Sequence, residues 1–353
     1  MQADRPATAG DPRVEAVLTA FLADGSRRSV GQGAEYEQLW SDLGQATAGG
    51  KRFRPALLVG AYSAYGGGDA PLAARVAGAV ELLHTAFVIH DDVIDGDQTR
   101  RGRPNLSGAA GDRARAAGAD PTRTRSYGDT AGILGGDLAL VGAVRAVAEC
   151  GAPPATVHRL LDLLDAAVHT SAAGELADVA HSSGLGGTTL GEVLTMAEMK
   201  TAVYSFVLPL QAAAVLAGRP DTVLSQLAEV GRSVGIAFQL QDDIVGVFGD
   251  EDQTGKSRLT DLRQGRHTPL MAHARTTPAW SRIAPLLGNP ALTAEQGDAV
   301  SELLEECGSR RFIEDLARSY LQAGIDLAER SGLPRELFDW IATCTAGLTR
   351  SAA

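Results

Sequence analysis

The sequence predicts an all-α protein, and three observations predict it. Ala and Leu dominate the composition, runs of β-branched residues are short, and no alternation typical of strands competes. Four long stretches place apolar residues three and four positions apart, at residues 72–95, 156–180, 189–216 and 222–247. This spacing puts the apolar side chains on one face of each helix, where a core can bury them.

Residues at the predicted helix ends agree with these limits. Asp69 and Pro71 can open the first of these helices, and Pro220 with Asp221 can open the last. Gly218 can end the third. The chain is therefore predicted to run through long helices joined by short turns.

Three polar segments rich in Gly and Arg interrupt the helical pattern. Residues 1–12 are predicted to be a disordered tail, and residues 101–127 and 250–268 are predicted to be loops. Neither loop has the composition of a linker between domains. We therefore expect a single domain over residues 13–350.

Composition excludes several classes of function. The chain has 353 residues, 44% of them hydrophobic, and a formal charge of −11, so a large core is possible and a nucleic-acid groove is not expected. The polar start lacks the apolar segment of a signal peptide, and no uninterrupted apolar run reaches the roughly 18 residues that would span a bilayer. Cys150, Cys307 and Cys344 are too far apart for a zinc site. We expect a cytoplasmic protein with no membrane span.

A similar ten-residue motif, called a word below, occurs twice in the sequence. AFVIHDDVID covers residues 86–95, and AFQLQDDIVG covers residues 237–246. Each word is a largely apolar stretch that leads into an Asp pair. Carboxylates in such surroundings need a cation, and Mg²⁺ is the usual partner for oxygen ligands. Two such words predict one metal cluster that is bound from both sides.

The first word has helical spacing suited to a metal site. Asp91 and Asp95 lie one turn apart on the same face, and Asp92 is three residues from Asp95. An isolated DDxxD is usually an acidic helix end. Here Arg100 and Arg101 follow closely, and this mixture of charges can hold both Mg²⁺ and the phosphate oxygens that it bridges.

Other charged residues point to bound anions. The basic run GGKRFRP at residues 49–55 precedes a predicted helix start, where backbone N–H groups and cations together favour an anion. His84 lies seven residues before Asp91, on about the same helical face. Lys200 lies in an otherwise apolar stretch and needs a counter-anion if buried; a surface lysine is the alternative.

A nucleotide-binding loop is rejected. Gly255, Lys256 and Ser257 look like the end of a phosphate-binding loop. However, Gly249 is one residue out of place for GxxxxGK[ST], and the surroundings are helical rather than strand-to-helix.

Taken in order, GKRFRP, ELLH, HDDVIDGDQTRRGRP, MKTAVYSF, FQLQDDIVGVFGD and TGK resemble the trans-prenyl diphosphate synthases, the polyprenyl synthetase family. The resemblance runs from about Gly49 to beyond Thr268. It implies an isoprenoid-synthase helical bundle around a deep central cavity, usually homodimeric. It also implies a Mg²⁺-dependent prenyltransferase that joins isopentenyl diphosphate to allylic diphosphates by ionisation, condensation and elimination.

The resemblance implies a role for each matching residue. Three Mg²⁺ ions per site would be bound by the catalytic aspartates Asp91, Asp92, Asp95, Asp242 and Asp243. Isopentenyl diphosphate would be bound by Lys51, Arg54, His84 and Arg101. The diphosphate of the allylic substrate would be bound by Arg100, Lys200 and Lys256, with Arg266 also in the substrate site. Thr201 and Gln239 would lie near the reacting carbons, and Lys200 would also be catalytic.

The chain departs from the family pattern in three places. Gly246 stands where a third Asp is common, and Asp250 is a possible substitute. Arg266 replaces a Lys after Gly265, which keeps the charge but changes its geometry. Glu175 replaces a common Gln.

Product length is predicted from two residues before the first Asp. Ala86 is small, which favours more than fifteen carbons in this family, and Phe87 is large enough to act as a floor. Geranylgeranyl diphosphate is the predicted product, with farnesyl diphosphate as the alternative.

Two other functions compete with this one. A class I terpene cyclase also carries DDxxD, but it would be expected to carry a different second metal motif and has no need of GKRFRP. A non-catalytic partner subunit could lose its metal aspartates, whereas this chain keeps all three of the first motif.

Overall fold

The computed structural model describes residues 11–185, 189–249 and 259–337, which are almost entirely helical, as predicted. Residues 11–185 contain one short antiparallel pair of strands, in which Arg100 lies opposite Arg103. Their elements are α1 Pro12–Ser29, α2 Ala34–Thr47, α3 Phe53–Ala64, α4 Ala70–Asp95, β1 Thr99–Arg100, β2 Arg103–Pro104, α5 Leu106–Ala116, α6 Pro121–Ala148 and α7 Pro154–Ser182.

Residues 189–249 and 259–337 contain no strand. Their elements are α8 Leu190–Ala197, a π-helical stretch Glu198–Val207, α9 Leu208–Leu216, α10 Asp221–Phe248, α11 Thr260–Gln264, α12 Pro269–Ala274, α13 Trp280–Ile283, a 3₁₀ turn Ala284–Leu286, α14 Ala294–Glu306 and α15 Ser309–Arg330.

The chain divides into two compact units. Unit 1 comprises the described residues of Met1–Asp162 together with Ala212–Gly218, and unit 2 comprises those of Leu163–Gln211 and Arg219–Ala353. A single domain over residues 13–350 stays a prediction. Residues 1–10 of the predicted tail lie outside the described residues. Asp11 and Pro12 already begin α1, where the Asp11 side chain accepts a hydrogen bond from the Arg13 backbone.

In unit 1, glycines of α6 let α4 pack directly on the α6 backbone. A Cβ atom at Gly132 would lie 2.3 Å from Val93 Cγ2, and one at Gly136 would lie 2.2 Å from His90 Nε2. Real side chains do not fit at such distances. The close contact therefore places the end of α4, which carries the first Asp motif, against a long and regular partner.

The prediction of a loop over residues 101–127 is wrong for most of its length. Asn105 caps α5 by accepting a hydrogen bond from the Gly108 backbone at 2.8 Å, and Asp120 caps α6. Leu106 and Ala110 pack into the core of unit 1. Helix α5 has only 11 residues, too few to show a clear apolar period, and its charged residues Asp112 and Arg115 are exposed.

In unit 2, α10 packs closely on the π-helical stretch, because a Cβ atom at Gly235 would lie 2.4 Å from that of Ala202. The same helix contributes to the main apolar cluster of this unit, which includes Leu240, Ile244, Val247, Leu262 and Leu270. Residues of α10 and α11 thus share one core. This cluster supports the end of α10 that carries the second Asp motif.

Three stretches are long and apolar enough to cross a membrane by length and composition: Ala70–Asp95, Pro121–Ala148 and Leu190–Leu216. Within each stretch, we consider the 18 consecutive residues that are most apolar. Of these, 72% are buried inside the protein in the first stretch and 67% in the third, so core packing accounts for their composition. In the second, α6, only 39% of these residues are buried. Its exposed apolar side chains therefore need a separate explanation.

Candidate active site

The first Asp motif forms an ion-pair network with the short hairpin that follows it. Gly96 ends α4 in the left-handed conformation, and the chain returns so that Arg100 donates to Asp92 Oδ1 at 2.6 and 2.9 Å. Arg100 also lies 3.5 Å from Asp91. Burial raises the pKa of Asp92, and the hydrogen bond from Arg100 opposes this effect. Asp91 and Asp95 are partly exposed, one turn apart on the same face.

Positive charge gathers around His84 in the same unit. Burial lowers the pKa of His84 well below its ordinary value, so the ring is neutral at pH 7. Four guanidinium groups lower this pKa further: Arg54, Arg100, Arg101 and Arg52. The structure therefore brings together most of the residues that the sequence motifs assigned to isopentenyl diphosphate.

The glycines before Lys51 make room for one of these cations. A Cβ atom at Gly50 would lie 3.2 Å from Arg101 Nη2, and one at Gly49 would lie 3.6 Å from Arg101 Nη1. Both glycines have positive φ, 78° at Gly49 and 84° at Gly50. The GKRFRP loop and the Arg101 side chain are thus adjacent, and Lys51 is exposed beside them.

Sequence reasoning missed the role of Arg52. This residue is 8% exposed and has a φ of 48°, and its guanidinium binds Glu81 at 2.8 Å and Glu15 at 2.6 Å. It also donates to the carbonyl oxygen of Thr47 at 2.9 Å. Arg52 thereby ties the GKRFRP loop to α1 and α4. The sequence signal that could have indicated this pair was Glu81, a single acidic residue within an apolar helical stretch.

In unit 2, the second Asp motif places a carboxylate among like charges. Asp243 accepts a hydrogen bond from Gln239 Nε2 at 2.9 Å, and Asp242 is exposed. Burial raises the pKa of Asp243 well above its ordinary value. The nearby carboxylates of Asp242, Asp261 and Asp178 act in the same direction, while Gln239 opposes them. A cation at this position would remove the repulsion, and Gln239 orients the carboxylate.

Lys200 is bound by two carboxylates of α7. Its Nζ lies 2.7 Å from Asp178 Oδ2 and 3.0 Å from Glu175 Oε2, and only 19% of its side chain is exposed. The alternative of a surface lysine is therefore wrong. A Cβ atom at Gly174 would lie 2.3 Å from the Lys200 backbone nitrogen, so α7 packs directly on this turn. Thr201, the next residue, is partly buried.

The segment after the second motif is described only from residue 259. Lys256 and Asp250 lie outside the described residues. Within the predicted loop of residues 250–268, Thr260–Gln264 is helical, which corrects that part of the prediction. Arg266 Nε donates to Gln264 Oε1 at 2.8 Å and lies 3.6 Å from Asp261 Oδ1.

The two residues predicted to control product length differ in their surroundings. Ala86 is fully buried in an apolar cluster with Leu39, Trp40 and Leu43 of α2. Phe87 is partly buried. A substitution at Phe87 therefore perturbs the core less than one at Ala86.

The donor chemistry of both motifs fits Mg²⁺. Each offers carboxylate oxygens, the ligands that Mg²⁺ prefers, and a bound cation would offset the repulsion between Asp243 and its neighbouring carboxylates. Within residues 11–185, 189–249 and 259–337, no group of three or more acidic, His or Cys side chains is already spaced to hold a metal ion. The fit of these residues to Mg²⁺ therefore rests on the chemical type of the ligands and not on their spacing.

A family model for polyprenyl synthetase matches residues 38–305, which is most of the chain. The chain belongs to the polyprenyl synthetase family. The prediction of a prenyltransferase that makes a trans-prenyl diphosphate is thereby confirmed, as is the predicted family.

Individual relatives of this polyprenyl synthetase differ in their named products. The (2E,6E)-farnesyl diphosphate synthase of Mycobacterium tuberculosis (strain H37Rv) is 34% identical over 81% of this chain and 75% of its own length. The geranylgeranyl diphosphate synthase of Methanosarcina mazei is 32% identical over 78% of each chain.

A solved structure confirms the isoprenoid-synthase fold. The geranylgeranyl pyrophosphate synthase of Corynebacterium glutamicum, complexed with isoprenyl diphosphate and magnesium, superposes with a TM-score of 0.86. It is 27% identical, and the match covers 97% of this chain and 98% of that one.

Proposed function

We propose that this polyprenyl synthetase elongates allylic diphosphates with isopentenyl diphosphate to geranylgeranyl diphosphate, with Mg²⁺ as cofactor. The observation that carries this proposal is the basic cluster of Arg54, His84, Arg100 and Arg101 next to the first Asp motif. Cations beside carboxylates suit a diphosphate whose oxygens bridge to a metal. The Corynebacterium enzyme, which was solved in complex with isoprenyl diphosphate and magnesium, supports the same ligands.

Each group has a distinct task in this reaction. Arg54, Arg101 and Lys51 bind the diphosphate of isopentenyl diphosphate, and the neutral His84 can donate a hydrogen bond to it. Lys200, which forms ion pairs with Asp178 and Glu175, donates to the allylic diphosphate. Asp91, Asp92, Asp95, Asp242 and Asp243 would hold Mg²⁺, which would supply charge neutralisation to the leaving diphosphate.

Bond making follows from this charge distribution. The allylic C–O bond breaks, and both of its electrons leave with the diphosphate, which the cations stabilise. The double bond of isopentenyl diphosphate attacks the allylic cation and forms the new C–C bond. A proton is then lost to the departing diphosphate. Holding both substrates in position replaces an improbable encounter.

The activity can be tested directly. Purified protein is incubated with Mg²⁺, labelled isopentenyl diphosphate and, separately, the C5, C10 and C15 allylic diphosphates, and the dephosphorylated products are resolved by length. We expect a ladder that ends at C20 and disappears when a chelator is added. A folded protein that elongates none of the primers would contradict the proposal and favour a partner-subunit role.

Product length can be tested at Phe87. Identity does not decide between products, since the farnesyl and geranylgeranyl relatives are 34% and 32% identical. If Phe87 is the floor that stops the growing tail, Phe87→Ala should lengthen the main product by at least one five-carbon unit. Product chromatography with a C15 primer measures this.

Phe312→Ala is the matched control, because Phe312 is 40% exposed and lies in unit 2. An unchanged product from Phe87→Ala would refute the floor assignment. A C15 end product from the wild type would favour farnesyl diphosphate. Ala86→Phe is a poorer test, because overpacking the core around the fully buried Ala86 costs about 1–3 kcal/mol.

We also propose that the protein is a cytoplasmic homodimer and that the exposed face of α6 is its contact surface. Leu134 and Val141, seven residues apart, are 49% and 65% exposed, and Ile133 and Val144 beside them are 49% and 43% exposed. Several exposed apolar side chains on one helix face are typical of a protein interface. A second copy fits this face, because the family is usually homodimeric.

The dimer is tested by the double substitution Leu134→Glu and Val141→Glu. Burying four carboxylates in a symmetric interface is strongly unfavourable, so we expect a monomer at micromolar concentration. Light scattering coupled to size-exclusion chromatography measures the mass. Val30→Glu is the control, because Val30 is 72% exposed on another part of unit 1. A wild-type monomer, or a dimer that survives the double substitution, would contradict the proposal.

A further inference from the structure

Glu175 replaces a Gln that is common in the family, and it lies on α7 directly against Lys200. A Cβ atom at Gly174 would lie 2.3 Å from the Lys200 backbone nitrogen and 2.8 Å from its Cα atom, so α7 and the π-helical stretch are in direct backbone contact here. Because Glu175 follows Gly174, this contact fixes its position beside the Lys200 side chain. The replacement therefore adds a negative charge next to the lysine that is proposed to bind the allylic diphosphate.

Both carboxylate oxygens of Glu175 contact the ammonium group of Lys200. Oε1 and Oε2 lie 3.1 and 3.0 Å from Nζ, and Asp178 Oδ2 lies 2.7 Å from the same atom. Nζ carries three N–H donors, and hydrogen bonds between charged groups are about twice as strong as neutral ones. A glutamine at position 175 would offer one uncharged carbonyl oxygen in place of this carboxylate. Glu175 therefore binds Lys200 more strongly than a glutamine would.

These three charges lie in a region that is largely shielded from solvent. The side chains of Lys200, Glu175 and Asp178 are only 19%, 21% and 15% exposed. Charges in such surroundings interact more strongly than they do in bulk water. A diphosphate that approaches Lys200 is therefore repelled by the Glu175 carboxylate and competes with it for the N–H donors of Nζ. Asp178 makes the shortest of these contacts, so Lys200 stays anchored on α7 when Glu175 loses its charge.

We infer that Glu175 is a positioning residue that lowers the affinity of the enzyme for its allylic diphosphate, because it competes with that substrate for Lys200. This inference rests on the proposed function, in which Lys200 binds the allylic diphosphate. It concerns the allylic substrate alone, because isopentenyl diphosphate is assigned to cations of unit 1. It applies to every elongation cycle, since the product of one cycle is the allylic substrate of the next.

Glu175→Gln tests this competition, because it removes the charge and keeps the size of the side chain. The dissociation constant of the unreactive geranyl S-thiolodiphosphate is measured by isothermal titration calorimetry with Mg²⁺ present, and KM is measured for geranyl diphosphate and for isopentenyl diphosphate. The dissociation constant and the KM for geranyl diphosphate should fall by about 3- to 10-fold, since a like charge beside the ligand is removed. The KM for isopentenyl diphosphate should stay within about twofold of wild type, because its cations are independent of this ion-pair group.

Two further variants separate the charge of Glu175 from a structural role. Glu175→Asp keeps the charge on the same helix face, so its dissociation constant should stay closer to that of wild type than to that of Glu175→Gln. Asp165→Asn removes a 77% exposed carboxylate of the same helix, beside His169, and should leave both KM values unchanged. Thermal unfolding checks that each variant is folded. A residue that only stabilised the fold would change the melting temperature and would not tighten binding of the allylic diphosphate.

Unchanged or weaker binding of the thiolodiphosphate by Glu175→Gln would overturn the inference. So would equally tight binding by Glu175→Gln and Glu175→Asp, because the effect would then come from the shape of the side chain rather than its charge. If the wild type elongates geranyl diphosphate in either case, the proposed function stands and only the role of Glu175 is wrong. If the wild type neither binds the thiolodiphosphate nor elongates a primer, the proposed function fails and this inference fails with it.

Discussion

Asp91→Asn is expected to lower kcat by about a thousandfold, the scale seen when one electrostatic stabiliser of a transition state is removed. In the proposed mechanism, the substitution removes one charged ligand of the Mg²⁺ that neutralises the leaving diphosphate. Its effect on folding should be small. The Asp91 side chain is 26% exposed, and Arg100 retains its closer partner Asp92 at 2.6 Å. Steady-state incorporation of labelled isopentenyl diphosphate measures the activity.

Asp112→Asn is the matched control for Asp91→Asn. Asp112 is a 55% exposed carboxylate of the same unit that pairs with Arg115 one turn later. Its substitution should leave kcat within about twofold, since exposed ion pairs contribute little. Thermal unfolding of both variants checks the fold. An Asp91→Asn protein with more than a tenth of wild-type kcat would contradict a role for this aspartate as a metal ligand.

Arg52→Met is expected to lower the free energy of unfolding by about 3–5 kcal/mol, the usual cost of breaking a buried ion pair. Glu81 is only 7% exposed on its side chain, and without Arg52 its charge has lost a partner at 2.8 Å. Glu15 and the carbonyl oxygen of Thr47 lose a donor as well. Urea denaturation followed by circular dichroism measures the change.

A double substitution shows whether the cost comes from the orphaned carboxylate. Arg52→Met with Glu81→Met replaces the pair by apolar side chains, so it should recover at least half of the lost stability. Arg28→Met removes a 68% exposed guanidinium and should change stability by less than about 0.5 kcal/mol. A double variant no more stable than Arg52→Met would show that the lost hydrogen bonds to Glu15 and to the Thr47 carbonyl oxygen, rather than Glu81, set the cost.

Individual helices show which parts of the fold could be predicted from the local sequence. The helices that carry both Asp motifs were predicted from apolar spacing, because α4 and α10 are 26 and 28 residues long and repeat that spacing many times. Helix α5 has 11 residues and was predicted to be a loop. Its stability comes from the N-cap Asn105 and from packing of Leu106 and Ala110 in the core of unit 1.

By itself, the sequence determined the all-α class, the polyprenyl synthetase family and the residues of the two Asp motifs. These depend on helical periodicity and on short motifs, in which interacting residues are neighbours along the chain. Only the tertiary structure showed that Arg52 binds Glu81, that Lys200 binds Glu175 and Asp178, and that Asp261 lies against Gly246. Those contacts join residues on different elements, and their geometry depends on how the helices pack.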